Sequence, residues 1–349
     1  MPKIKIGKKI ISSAKNNFYL IAEIGHNHMG NLKIAKEMII EAKRCGADAV
    51  KLQKRDNKFL YTKNFYNQPY KNKNSYGKTY GLHRDKLEFN KRQYQELIKL
   101  SKNIGIDFFA TPFDYNSLNF LENLNIPFYK IASADLKNLP LQEQIAKTKK
   151  PIILSTGGGN INDVKLAVKN ILKYNKKLAI LQCTASYPAN WSDMNLRVIE
   201  TFKKEFPNHV IGLSDHEAGI QASTISFMLG ARIFEKHFTL NRANKGTDHS
   251  FSLEPEGLRK ISRNLKRIPI LLGSKFKKRL QKEKEPLFKM EKSIIASRNI
   301  KKGHKINIKD LNFKSPGDGL SPNKLNMILR KIAKKDILKE NLILLKDVK

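Results

Sequence analysis

The chain has 349 residues, 40% of them hydrophobic, which is enough for one large domain and a smaller one with well-formed cores. No apolar run approaches the roughly 20 residues of a membrane-spanning helix, and the first residues lack the apolar segment of a signal peptide. The two cysteines, Cys45 and Cys183, provide no disulfide framework, so a soluble cytoplasmic protein is expected.

The net charge of +36 raises the question of nucleic-acid binding. The positive charge is mostly lysine, spread along the chain without an aromatic–basic motif, and such charge supports only non-specific attraction to polyanions. Specific nucleic-acid binding is therefore not expected. The same positive field would attract phosphorylated and carboxylated metabolites.

Eight β-rich runs alternate with segments whose apolar residues recur every three or four positions, which predicts helices between strands. The runs cover residues 18–25, 47–53, 107–113, 128–134, 151–157, 178–185, 210–216 and 232–240. Near-continuous apolar strands alternating with helices indicate a parallel sheet, and eight such units predict a (β/α)8 TIM barrel over residues 17–275. A doubly wound open sheet is the alternative, but the glycine-rich phosphate fingerprint is absent after the first strand.

Other segments lie outside these units. Residues 1–16 are predicted to form a strand or hairpin that plugs the barrel bottom, and residues 276–288 a charged linker. Short β runs with a Gly turn and a Pro-Gly turn predict a small β-rich domain over residues 289–349. Residues 57–90 form a long insertion after the second strand, and insertions of this length in a compact domain are typically functional.

Polar residues collect at the carboxyl ends of the predicted strands, which is where active sites of such barrels lie. In strand order they are Glu23; Lys51 and Gln53; Thr111 and Asp114; Lys130 and Ser133; Ser155 and Thr156; Thr184 and Tyr187; Ser214, Asp215 and His216; and Glu235, Lys236 and His237. The pattern predicts a polar active site at this end of the barrel.

His216 and His237 end neighbouring strands, and two imidazoles at one rim suit a divalent transition metal with positions open for a substrate oxygen. The alternative is one hydrogen-bonded core histidine and one surface histidine. The remaining histidines near the rim are treated as loop residues; they are His26, His28, His83 and His249.

Lys51 and Lys130 lie inside β runs, where a lysine is rarely buried unless it is paired. With the hydroxyls of Ser133 and Ser155 they predict a site for a phosphate or carboxylate, and the alternative is that they snorkel to the barrel mouth. Glu23 is a candidate general acid or base, or else a partner for one of these lysines.

The motifs around these residues resemble the sialic acid synthases and their nonulosonate relatives. The matching runs are IAEIGHNHMGNLKIAKEMI, GADAVKLQK, FFATPFD, YKIASADL, ILSTGG, LQCTASYP, IGLSDHEAG, EKHFTL and KGTDHSFSLEP. The tail resembles that family's antifreeze-like (SAF) domain through SIIASRNIKKGHKI and the Pro-Gly turn. The resemblance therefore covers nearly the whole chain.

The resemblance implies a reaction in which phosphoenolpyruvate condenses with the open-chain aldehyde of an N-acylated hexosamine, such as N-acetylmannosamine or its 6-phosphate. Phosphate is released and a nine-carbon 2-keto acid forms. It also implies a domain-swapped homodimer. Alternatives from other classes are a metal-dependent aldolase or hydrolase, which would not consume phosphoenolpyruvate, and a non-catalytic polyanion-binding protein.

The resemblance also implies roles for individual residues. His216 and His237 would bind Mn²⁺, or another divalent ion such as Mg²⁺ or Co²⁺, which polarises the aldehyde. Glu23 would handle protons. Phosphoenolpyruvate would be held by Lys51, Lys130, Ser133, Ser155 and Ser214. The sugar would contact Gln53, Thr111, Tyr187 and Asp248. On the strand IFEKHFTL, Glu235 shares the face of His237, whereas Lys236 points away and is expected to be structural.

Two departures from the family pattern concern sugar recognition. Ala185 stands where bacterial members that use the unphosphorylated sugar usually have an Asn, and Lys314 and Ser315 precede the Pro-Gly turn where the small domain often supplies an Arg. The insertion resembles the corresponding stretch of animal enzymes that take a 6-phosphorylated sugar. Its lysines and His83 are candidates for a second phosphate site, with solvated surface lysine as the alternative.

Overall fold

The structure is a computed structural model that describes residues 1–13 and 17–349. It divides into two compact units, Met1–Gly273 and Ser274–Lys349. Among the described residues, no helix combines the length and the apolar composition that crossing a membrane requires.

The first unit begins with an antiparallel hairpin of β1 (Lys3–Ile6) and β2 (Lys9–Ser12). Lys9 is ion-paired with Asp48, and Gly7 lies directly against Asp107. Asp48 and Asp107 stand where two barrel strands begin, so the hairpin packs against the amino-terminal end of the barrel. The last three residues of the predicted plug, 14–16, lie outside the described residues.

Eight parallel strands close into a barrel, which confirms the predicted fold class. They are β3 (Tyr19–Gly25), β4 (Ala49–Lys54), β5 (Asp107–Pro112), β6 (Tyr129–Ile131), β7 (Ile152–Ser155), β8 (Leu178–Cys183), β9 (Val210–Asp215) and β10 (Ile233–His237). The fourth barrel strand is shorter than predicted, because the chain turns into a 3-10 helix at Ser133–Asp135.

Helices surround the barrel, and all except the three short helices of the insertion after β4 bury an apolar face against it. They are α1 (Leu32–Arg44), α2 (Asn57–Leu60), α3 (Lys63–Asn67), α4 (Tyr80–Lys86), α5 (Lys91–Ile104), α6 (Tyr115–Glu122), α7 (Leu139–Lys147), α8 (Ile161–Leu172), α9 (Val198–Glu205), α10 (Gln221–Leu229) and α11 (Pro255–Leu272). In α5, Asn90 and Gln93 form a capping box at the start, and Gly105 closes the end in a left-handed conformation.

The insertion after β4 contains three short helices, α2, α3 and α4, joined by loop segments. Its aromatic side chains pack on one another: the ring of Tyr80 lies 4.6 Å from Phe65 and 5.4 Å from Tyr70, centroid to centroid. Tyr76 donates a hydrogen bond to the carbonyl of Lys245, and Gly246 donates one to Asn74. These contacts attach the insertion to the loop that follows β10.

The second unit has its own core and contains α12 (Lys284–Met290), β11 (Ser293–Ala296) and β12 (Leu311–Lys314). The two strands pair antiparallel and further isolated bridges extend the pairing. Asp310 is fully buried and accepts hydrogen bonds from Arg298, His304 and the backbone of Asn307. This carboxylate joins three segments of the small domain.

Candidate active site at the barrel mouth

A cavity of about 400 Å³ opens at the carboxyl ends of the barrel strands. All twelve residues predicted for the site line it: Glu23, Lys51, Gln53, Thr111, Lys130, Ser133, Ser155, Tyr187, Ser214, His216, His237 and Asp248. A larger depression of about 550 Å³ lies beside it, but none of the described residues that line that depression is charged. The charged cavity is therefore the candidate site.

Lys51 and Glu23 form a buried ion pair at the base of the cavity. The Nζ of Lys51 lies 2.8 Å from Oε2 of Glu23 and donates to Oγ1 of Thr111 at 2.9 Å. Oε1 of Glu23 accepts from Nε2 of Gln53 at 2.7 Å. The three strands are in register, with Glu23 beside both Lys51 and His237, so strand pairing brings these groups together. Burial raises the pKa of Glu23 above its usual value, against the opposing charge of Lys51.

Glu235 stands between the two predicted anion-binding lysines. Its Oε1 lies 3.6 Å from the Nζ of Lys130 and 3.8 Å from that of Lys51, and accepts from the hydroxyl of Ser214 at 3.2 Å. Burial opposes ionisation of Glu235, but the two ammonium groups outweigh it and hold its pKa below the usual value. Burial lowers the pKa of Lys130. Both lysines are thus buried and paired rather than snorkelling, and each stays within reach of a bound anion.

Two serines line the same cavity as the lysines, Ser133 just after β6 and Ser155 at the end of β7. The hydroxyl of Ser155 is buried and has no hydrogen-bond partner among the described residues. The hydroxyl of Ser133 accepts from the backbone N–H of Gly157 at 2.9 Å. An unpartnered buried hydroxyl costs free energy unless a ligand satisfies it, so Ser155 is available to an anion in the cavity.

His216 and His237 lie side by side, with ring centroids 5.3 Å apart. Nδ1 of His216 donates to the carbonyl of Thr184 at 2.7 Å, which leaves Nε2 as the acceptor nitrogen. Nδ1 of His237 is buried without a hydrogen-bond partner in the described part of the chain, 3.7 Å from Oδ2 of Asp248. Burial lowers the pKa of His237 to about 3, so its imidazole is neutral at pH 7.

The imidazoles of His216 and His237 could supply two of the ligands of a divalent metal ion. Residues 1–13 and 17–349 contain no group of three or more His, Cys, Asp or Glu side chains arranged to hold an ion. A metal at His216 and His237 would therefore need oxygen ligands from substrate or water, which is the open coordination expected of a catalytic site.

The alternation predicted for IFEKHFTL is present. Glu235 and His237 face the cavity, whereas Lys236 lies on the other side of the strand, 3.0 Å from Oδ2 of Asp215 and bonded to the carbonyl of Glu217. Both partners are almost fully buried outside the cavity. Lys236 therefore joins two strands and the loop after β9.

Arg55 and Arg84 also line the cavity, and sequence reasoning did not select them. Arg55 follows β4 at the alternating positions of Lys51 and Gln53, which is a signal that could have identified it. Arg84 lies on α4 of the insertion, and no local pattern predicts where that helix packs. The candidates named for a second phosphate site in the insertion, its lysines and His83, do not line the cavity: His83 is buried against Tyr70.

The positions that depart from the family pattern lie elsewhere. Ala185 lines the neighbouring depression of about 550 Å³. Lys314 is ion-paired with Glu340 inside the small domain. Among the other rim histidines, His26 is buried between Arg55 and Arg84, and His28 stacks on Phe89.

Comparison with known proteins agrees with this architecture. Residues 38–277 match the model of the NeuB family, and residues 291–349 match the SAF domain. The chain is 41% identical to the N-acetylneuraminate-9-phosphate synthase of Homo sapiens over 82% of this chain and 79% of that protein. It is 36% identical to the N,N'-diacetyllegionaminic acid synthase of Campylobacter jejuni over 93% and 98% of the two chains.

A solved structure of a sialic acid synthetase is also similar to this chain in fold and sequence. The N-acetylneuraminic acid synthetase of Leptospira borgpetersenii, crystallised with citrate, superposes with a TM-score of 0.70 at 33% identity, covering 81% of this chain and 94% of that one. The relatives are synthases of sialic and other nonulosonic acids, and the alternatives of an aldolase and a polyanion-binding protein find no support among them. The chain belongs to the NeuB family and is an enzyme of the sialic acid synthase type, with a TIM barrel followed by a SAF domain.

Proposed function

We propose that this enzyme condenses phosphoenolpyruvate with the open-chain aldehyde of an N-acylated hexosamine. C3 of phosphoenolpyruvate bonds to the aldehyde carbon, a water molecule adds at C2, and the C–O bond to phosphate breaks. The products are inorganic phosphate and a nine-carbon 2-keto acid. The observation that carries the proposal is the convergence of Lys51, Lys130 and the unpartnered Ser155 hydroxyl beside two imidazoles in one cavity.

The buried lysines and serines would hold phosphoenolpyruvate. Two ammonium groups in a site largely shielded from water attract a phosphate and a carboxylate more strongly than exposed lysines do. Glu235 lies between the lysines and offsets their mutual repulsion, because it interacts with both at 3.6–3.8 Å. Ser155 would donate to one oxygen of the anion.

Glu23 would exchange a proton with the sugar oxygen or with the attacking water. Gln53 and Lys51 hold its two carboxyl oxygens, so its orientation is fixed before substrate enters. Gly25, at φ +52, allows β3 to end in a bulge there, and a Cβ at Gly25 would lie 3.3 Å from the Glu23 carboxyl oxygen. Tyr187 and Asp248 border the remaining space and would contact the sugar.

A divalent ion, which we propose to be Mn²⁺, would be held by His216 and His237 and would polarise the aldehyde carbonyl when bound. The carbonyl of Thr184 orients the ring of His216, and Phe251, 4.9 Å from His237 between ring centroids, limits the motion of the second ring. The homodimer and the cytoplasmic location stay predictions.

The test is phosphate release from phosphoenolpyruvate by the metal-loaded protein, with the nine-carbon product identified by mass spectrometry. We expect release that requires both a sugar and a divalent ion. N-acetylmannosamine, its 6-phosphate and a diacetamido-trideoxy hexose form the substrate panel, because adding the three carbons of phosphoenolpyruvate to these sugars gives products of the kinds that the relatives' names indicate. Sugar-independent phosphate release, or release that survives loss of both histidines, would contradict the proposal.

A further inference from the structure

Two arginines converge at the outer part of the active-site cavity without a carboxylate to neutralise them. Arg55 is buried and Arg84 is half-buried, and both line the cavity. Among the residues that the structure describes, no carboxylate oxygen lies within ion-pair distance of either guanidinium, whereas Lys51 and Lys130 each have an acidic partner. Burying a charge without a partner is costly unless a ligand supplies the opposite charge.

The groups that contact Arg55 and Arg84 supply no negative charge to balance the two guanidinium groups. Arg55 donates to Oε1 of Gln53 at 2.7 Å and lies over the ring of Phe113, 3.7 Å from its centroid. Arg84 donates to the hydroxyl of Tyr80 at 2.8 Å from Nη2 and 3.1 Å from Nε. These partners are neutral, so they orient the two guanidinium groups without balancing their charge.

His26 lies between the two arginines, and its two ring nitrogens cannot both accept a hydrogen bond from them. Nη1 of Arg55 is 3.2 Å from its Nε2, and Nη1 of Arg84 is 3.2 Å from its Nδ1. Burial and the two guanidinium charges lower the pKa of His26 well below its usual value, so the ring is neutral. A neutral imidazole has one acceptor nitrogen, so one guanidinium faces an N–H instead.

The nearest acidic groups do not resolve this conflict. Oε1 of Glu88 is 3.7 Å from Nε2 of His26, but the other oxygen of Glu88 is engaged by Lys54 at 2.7 Å. Oδ2 of Asp248 lies 3.7 Å from Nδ1 of His237. Burial opposes ionisation of Asp248, but interactions with His237, His26 and Arg84 outweigh it and lower its pKa, although its carboxylate forms no ion pair with Arg84. The position between Arg55 and Arg84 is therefore one that a bound anion would stabilise.

The position fits the far end of an acceptor sugar. Lys51, Gln53 and Arg55 alternate along one line, so Arg55 lies about 13 Å beyond Lys51 in the strand direction at 3.3 Å per residue. The aldehyde end of the sugar has to reach the group at Glu23 and His237, which leaves its other end toward the arginines. Paired planar guanidinium groups suit a phosphate, because each can donate two parallel hydrogen bonds.

We infer that Arg55 and Arg84 form a subsite for a phosphate monoester at the end of the acceptor sugar opposite the aldehyde. The inference rests on the proposed function and specifies its substrate class, a 6-phosphorylated N-acylated hexosamine. His26 holds the two arginines in place and contacts no phosphate itself. The exposed lysines of the insertion have no part in the subsite.

The test compares N-acetylmannosamine 6-phosphate with N-acetylmannosamine in wild type and in Arg84→Ala. We expect wild type to prefer the phosphorylated sugar, and Arg84→Ala to lower kcat/KM for it about 100-fold, far more than for the unphosphorylated sugar. Arg84→Lys keeps the positive charge but removes the guanidinium that can donate two parallel hydrogen bonds, so it should give an intermediate loss of kcat/KM. Lys86→Ala removes one exposed positive charge from the same helix and should change neither value.

Each other outcome bears on the inference. Equal losses with both sugars in Arg84→Ala, a wild-type preference for the unphosphorylated sugar, or a preference for an analogue with a carboxylate at C6 would overturn it. If only the diacetamido-trideoxy hexose releases phosphate, the proposed function holds and the subsite inference is overturned. If no sugar of the panel releases phosphate, the proposed function fails, and calorimetric binding of N-acetylmannosamine 6-phosphate decides the subsite separately. Binding that is lost in Arg84→Ala, weakened in Arg84→Lys and kept in Lys86→Ala would support the subsite, and absence of binding to wild type would overturn it.

Discussion

Oε2 of Glu23 lies 2.8 Å from Nζ of Lys51, and both side chains are almost completely buried at the base of the cavity. Each charge is therefore tolerated because of the other. A second buried acid, Glu235, lies near both Lys51 and Lys130. Stability and ligand binding are consequently coupled at this position, since an anion drawn to the lysines also competes with the two glutamates.

Lys51→Met should weaken phosphoenolpyruvate binding and destabilise the barrel. We expect the KM for phosphoenolpyruvate to rise about 100-fold while the KM for the sugar changes far less. The free energy of unfolding should fall by about 3 kcal/mol, because Glu23 is left buried without its partner. Initial rates and denaturant unfolding measure the two effects.

The double variant Lys51→Met with Glu23→Gln separates these effects. It removes both charges, so we expect most of the lost stability to return while the KM for phosphoenolpyruvate stays raised. Equal increases in KM for both substrates in the single variant would remove Lys51 from the phosphoenolpyruvate site.

His237→Ala should abolish metal binding and turnover while leaving the fold cooperative, because its ring supplies one of two protein ligands. Metal content by mass spectrometry and phosphate release measure these two properties. His209→Ala is the matched control, since His209 hydrogen-bonds to the carbonyl of Leu178 at the start of β8, far along the strand from the cavity. Retained metal stoichiometry in His237→Ala would contradict the assignment.

Lys236→Met should lower stability without a direct effect on substrate binding. The Nζ of Lys236 lies 3.0 Å from Oδ2 of Asp215, both are buried, and neither lines the cavity. Removing the ammonium leaves a buried carboxylate, which is expected to cost about 3–5 kcal/mol. Thermal unfolding and substrate KM values measured at a temperature where the variant is folded check this. A raised KM with unchanged stability would show that the prediction is wrong.

Asp310→Asn should destabilise the small domain, because three donors lose their charged acceptor. Burial opposes ionisation of Asp310, but the hydrogen bonds from Asn307, His304 and Arg298 outweigh it and hold its pKa below the usual value. Its contribution is therefore fully present above the unfolded-state pKa of about 4 and is lost as the pH falls through the lower folded-state pKa.

Hydrogen exchange of peptides from residues 291–349, measured in the full chain, reports this loss. Wild type should lose protection between about pH 4 and lower values, whereas Asp310→Asn should be less protected throughout and less pH-dependent. Asp336→Asn is the control: its carboxylate pairs with Lys301 at 3.0 Å but is exposed, so little protection is expected to be lost.

The barrel and much of its site could be predicted from the sequence because both depend on local order. Parallel strands of a barrel all end at one face, so the polar residues at the ends of the apolar runs share one cavity where strand alternation points them inward. Glu23, Lys130 and His237 were located in this way, and the alternation of IFEKHFTL separated Glu235 and His237 from Lys236.

The partners of those residues were not predictable in the same way. Glu23 was expected to act as an acid or base or to pair with one of the two lysines, and only the structure shows that its partner is Lys51, which also lies near Glu235. Which acid a buried lysine meets depends on strand register, and register depends on how the whole barrel closes.

The order of apolar runs along the chain thus determined the barrel, the small domain and the residues at the strand ends, because strand and helix periodicity are local properties of sequence. Only the tertiary structure decided which charges meet and which remain without a partner. Arg84 belongs to the site because α4 packs over the barrel mouth through contacts between residues far apart in the chain, such as Tyr76 with Lys245. Such contacts form once apolar surfaces are buried together, and no local pattern records them.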